Sequence, residues 1–91
     1  VFESDPVGAS LVTIKASYEA SVRTAGRLYI QGLITEAQLR RFRDEANKFF
    51  VAYNKVVTAH AEAKLSTDDA RVKNLKLSLT ALEALVVSLS S

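Results

Sequence analysis

A helix stop followed directly by a helix start, at Gly32 and Thr35, constrains this chain more than any other feature. Glycine lacks a Cβ and takes the left-handed conformation that closes a last helical turn. Thr35 with Gln38 three residues later forms a capping box: the hydroxyl accepts a free helix N–H, and the Gln amide reaches back to the cap. A second break falls at Lys64-Leu65-Ser66-Thr67-Asp68-Asp69. There Ser66 or Thr67 is the expected cap, with Asp68 and Asp69 set against the positive end of the next helix dipole. Asp5 or Ser4 can cap the first helix, and Pro6 suits its first position because the missing N–H has no partner there. The marks predict helices over about 6–31, 36–64 and 67–89.

Apolar spacing supports the same division. Leu11, Ile14, Tyr18, Val22, Ala25 and Leu28 recur three or four residues apart in the first segment. Leu39, Phe42, Ala46, Phe49, Tyr53, Val56, His60 and Ala63 alternate by three and four in the second, and Phe50, Val57 and Ala61 widen that stripe. Val72, Leu75, Leu79, Leu82, Val86 and Leu89 repeat the pattern in the third, broadened by Leu77, Leu85 and Val87. Gly26 interrupts the first pattern, at a place where it could admit a neighbouring helix.

Short connections force consecutive helices antiparallel. The expected fold is therefore all-α, a single up-down-up three-helix bundle with left-handed, coiled-coil-like packing. About 25 residues per helix at 1.5 Å of rise make it about 40 Å long. The alternative keeps the helices but opens the bundle, with one helix pairing across a dimer.

At 91 residues, 48% apolar and 24% charged, the composition is that of one globular domain. The absence of cysteine excludes disulfides, thiolate metal sites and thiol catalysis. Net charge is only +2, with acids and bases interleaved, which argues against a nucleic-acid stripe. The longest charge-free apolar run, Ala84 to Leu89, is far shorter than the ~18 residues that span a bilayer. A start at Val1 and the lack of any methionine lead us to expect an upstream segment such as a signal peptide, a lipid anchor or another domain.

The stretch Leu28-Tyr29-Ile30-Gln31-Gly32-Leu33-Ile34-Thr35-Glu36-Ala37-Gln38, running on to Phe49-Phe50-Val51-Ala52-Tyr53, resembles segments of small helical proteins of bacteria and prophages. Some of those are exported lipoproteins. The resemblance covers about a third of the chain and implies an envelope or phage-related accessory role, favouring periplasm or envelope over cytoplasm. It brings no catalytic residues, and the lipid-attachment cysteine is not in this sequence.

No constellation of catalytic residues emerges. His60 is the lone histidine, without a Glu-x-x-His motif, and is expected to be structural near a bundle end with one ring nitrogen reaching water. There is no Gly-x-Ser-x-Gly elbow and no phosphate-binding loop. Asp44 with Arg40 and Lys48, Arg41 with Glu45, and Asp69 with Lys73 read as helical i,i+4 pairs, and Glu19 as the partner of Arg23. Phe42, Phe49, Phe50 and Tyr53 read as core. No cofactor, metal or small-molecule substrate is implied.

Arg23, Arg27, Arg40, Arg41 and Arg43 are expected to share one pole with the charge-free end of the third helix. Leu77, Leu85 and Val87 exceed what one core stripe needs, and together with these arginines they are the expected contact surface. The residues point to a non-enzymatic interaction or structural module acting through protein–protein contact, with a partner protein or a second copy. An anionic membrane surface is the second candidate for the arginine pole. The alternative function is an exported accessory protein held near a membrane by an N-terminal segment. A binder of small apolar ligands between helices is the third class.

Overall fold

The computed structural model describes residues 5–90, so Ser4 as a cap lies outside the described residues. Helix α1 spans Pro6–Ile30, α2 Glu36–Ala63 and α3 Ala70–Ser90, and every pair of helices is in contact. Tyr53 donates its hydroxyl to the Leu11 carbonyl at 3.2 Å, and His60 meets Asp5 at 2.9 Å, which sets α2 antiparallel to α1. The molecule measures 44 × 21 × 17 Å. It is an all-α three-helix bundle.

The caps explain the boundaries. Asp5 accepts the Gly8 N–H at 2.9 Å, with Pro6 next to it at the start of α1. Gly32 takes φ +74°, and the Leu33 N–H reaches the Leu28 carbonyl at 2.9 Å, the six-to-one bond of a Schellman stop. Both halves of the capping box form: Thr35 Oγ1 accepts from Gln38 N at 3.1 Å, and Gln38 Oε1 accepts from Thr35 N at 2.7 Å. Ile34 before the cap and Leu39 in the first turn are both buried, the arrangement of a hydrophobic staple.

The third helix starts three residues later than the sequence suggests. Thr67 and Asp68 form a turn, closed by the Asp69 N–H on the Ser66 carbonyl, and Asp69 does the capping by accepting the Arg71 N–H at 2.9 Å. A carboxylate directly before Ala70 outcompetes a hydroxyl further upstream because it also binds the Arg71 guanidinium, at 3.0 Å through both oxygens.

One core runs the length of the bundle, and its heptads are stricter than the sequence suggests. In α1 the buried or half-buried series is Val7, Leu11, Ile14, Tyr18, Ser21, Ala25 and Leu28. Ser21 rather than Val22 holds the fifth place: Val22 is one residue out of register and 37% exposed. In α2 the core ends at Val56, with His60 half-buried and Ala63 exposed. Tyr18, Phe49, Phe50 and Tyr53 stack with centroids 5.3–6.4 Å apart and fill the seam between α1 and α2.

Gly26 does not admit a neighbour, since a Cβ built there meets nothing within 4 Å. Gly26→Ala should therefore stabilise the protein by about 0.5–1 kcal/mol, through the smaller backbone entropy lost on folding. Urea unfolding checks this, with a raised midpoint at an unchanged slope as the expected result.

Candidate functional site

His60 is bonded at both ring nitrogens and it is structural. Its Nδ1 accepts the Leu65 N–H at 2.9 Å, so the proton sits on Nε2, which donates to Asp5 Oδ1 at 2.9 Å. Both nitrogens thus bond protein groups, and neither is left for water as the sequence reading expected. The reason is local: Lys64 closes α2 in the left-handed region at φ 42°, which turns the next N–H back onto the ring. The imidazole joins the last turn of α2 to the first turn of α1. Among the described residues no three of His, Cys, Asp and Glu converge on a metal-sized site.

Acid should loosen the two helix starts. The Arg71 guanidinium, then the Arg71 N–H, hold the Asp69 carboxyl down from the ordinary 3.8 to about 2. The Gly8 N–H is likewise the main cause that lowers Asp5, aided by His60. A carboxylate whose folded pKa lies below its unfolded one stabilises fully above the unfolded value and loses this as pH falls through the folded one. Thermal midpoints should fall between pH 3.8 and about 2, and Arg71→Gln should flatten that part of the curve.

The ion pairs differ from the i,i+4 set expected. Arg40 meets Glu36 at 3.0 Å, Lys48 meets Glu45 at 3.4 Å, and Asp69 meets Arg71 rather than Lys73. All but the last are between exposed side chains, and surface pairs of this kind contribute at most about 1 kcal/mol each.

The antiparallel arrangement brings the end of α1, the start of α2 and the end of α3 to one pole, and all five arginines are exposed there. They do not form one patch. Successive helical residues turn by about 100°, so Arg40 and Arg43 lie on a different side of α2 from Arg41. Arg41 alone borders the groove between α2 and α3. Sequence reasoning missed Ile30 and Leu33, exposed by 84% and 64% at the same pole. The available signal was register: Leu28 is the last core position of α1, and neither residue continues its seam.

The third-helix candidates also separate. Leu77 is 68% exposed and lies two residues from both Leu75 and Leu79, on the side of α3 opposite the core. Leu85 is half-buried and lines the α2–α3 groove. Val87, 65% exposed, flanks Val86 on the other side, toward α1. Arg41 and Leu85 therefore border the same groove, Leu77 stands outside its lining one turn before Ala81, and Val87 faces away from it.

The α2–α3 side carries two adjoining hollows. They measure about 390 and 360 Å³, lie between α2 and α3 and share Ala52 and Ser78, so they form one groove. The groove exists because Ala52, Ala59, Ser78 and Ala81 are small where the α1–α2 seam has Tyr18 and Phe50. Its floor is apolar, from Phe49 and Leu82 to Val56 and Leu75. No protein-family model, curated protein or solved structure matches this chain. No described helix is long and apolar enough to cross a membrane.

Proposed function

We propose that this chain is a non-enzymatic protein-contact module whose working surface is the α2–α3 side. The observation that supports it is the continuous apolar-floored groove, bordered by Arg41 on α2 and by Ala81 and Leu85 on α3, with exposed Leu77 one turn before Ala81. An open seam between two helices is where a further helix completes a bundle, since close approach needs small side chains at the contact. The caps fix where the two groove-forming helices begin, the Leu65 N–H on His60 ties their connection to the end of α2, and the shared burial of Phe49, Val56, Leu75 and Leu82 packs one helix on the other.

A photo-crosslinking residue at position 77, installed in the source cells, tests the reading. Val12 on α1 is the matched control, because it is 70% exposed against 68% for Leu77. A discrete protein adduct from position 77 and none from position 12 is the expected result. Identical adducts from both positions, or none from either, would overturn it.

A further inference from the structure

Resting on that reading, we propose that the groove receives an amphipathic helix carrying carboxylates at seven-residue intervals. Arg41, Lys48 and Lys55 stand seven residues apart along α2 and line the groove in turn. A heptad step nearly restores the same direction on a helix, drifting by only about 20°, so the three cations form one row. Arg71 adds a fourth cation at the far end, and the single acid among the lining residues is Glu45, which reaches Lys48 at 3.4 Å. Asp69 engages Arg71 from outside the groove, and Glu62 stands one heptad beyond Lys55 in an adjoining hollow that shares Lys55 and Ala59 with it. Arg41 and Lys55 make no ion pair within the described residues.

The floor has the same period. Phe49 and Val56 are seven apart on α2, as are Leu75 and Leu82 on α3, so the two hollows repeat at one heptad. A helix laid along the groove meets them with side chains at a and d positions, while its flanking positions meet the cation row. From Arg41 to Lys55 the row runs about 21 Å, the length of about 14 helical residues. A second copy does not fit, because no described helix of this chain carries two acids seven residues apart. The occupant is therefore a different, acidic helix. A lipid surface or a polyanion would use the charges but has no use for a period in the floor.

Two synthetic peptides of about 21 residues test this, with leucine at a and d positions and either glutamate or lysine at every flanking position. Each is titrated into the full chain by fluorescence anisotropy at low salt, and amide shifts are followed by NMR. The glutamate peptide should bind at least about tenfold more tightly than the lysine peptide, and lose affinity as salt is raised. Shifts should centre on Ala52, Ser78 and Ala81. Arg41→Glu, Lys48→Glu and Lys55→Glu together should reverse the preference. Ala81→Phe should weaken both peptides without changing the helical circular dichroism.

Equal affinities, no binding, or shifts confined to α1 would overturn the proposal. So would binding to phosphatidylglycerol vesicles that the triple charge reversal abolishes while the glutamate peptide fails to bind. If the peptides fail and position 77 still yields its discrete adduct, only the acidic-helix inference is lost. If both fail, the protein-contact reading goes with it.

Discussion

Phe42→Ala should cost about 3–5 kcal/mol, the range for emptying a buried aromatic site. Phe42 is fully buried in the first turns of α2, in the same core as Ala25, Ala46 and Leu82. A domain of this size has only about 5–15 kcal/mol of stability to lose. Urea or thermal unfolding followed by circular dichroism should show a midpoint displaced far below that of the parent. Phe42→Leu, which keeps most of the volume, should recover the greater part. If Phe42→Ala unfolds within about 1 kcal/mol of the parent, the central packing described above is wrong.

A pair of substitutions two residues apart should give the sharpest contrast. Leu75→Asp places a carboxylate where the native side chain is 2% exposed, and no cation of the core can pair with it. Burying an unpaired charge is among the few single changes that cost more than about 4 kcal/mol, and the variant should be largely unfolded at room temperature. Leu77→Asp alters a side chain that is 68% exposed and should stay within about 0.5 kcal/mol of the parent. Its circular dichroism and melting curve should superimpose on the parent's. If Leu77→Asp unfolds the protein, α3 is rotated from the orientation described, and the groove with it.

The contrast also shows how far this molecule is legible from its residues. Leu75, Leu77 and Leu79 are chemically identical, and hydropathy alone ranks them equally. Only the heptad separates them, and in α3 it does so correctly because the seam continues through Val72, Leu82 and Val86. In α1 the same reasoning slipped by one residue at Val22. Apolar preference favoured the valine, whereas the packed helix keeps strict register and puts the small Ser21 inside. At the second break, hydroxyl and carboxylate caps compete on nearly equal terms locally. The Arg71 guanidinium decides in favour of Asp69 by binding both carboxylate oxygens.

The candidate surface was legible only in part. Arg41 and Leu85 stand out by surplus charge and surplus apolar area, and both border the α2–α3 groove. The groove itself does not stand out in the sequence, because its depth comes from alanines and serines that carry no signal of their own. The heptad row of Arg41, Lys48 and Lys55 is written in the sequence but takes on meaning only once α3 lies beside it.

Backbone chemistry and periodicity are local, so the sequence alone determined three helices, the cap at Thr35, the stop at Gly32 and the antiparallel order. Tertiary packing decided the rest, because it depends on which side chains meet across fifty residues of chain. It placed His60 between Asp5 and Leu65, set Leu85 at the α2–α3 groove, and left that seam open where the α1–α2 seam is filled by aromatic rings.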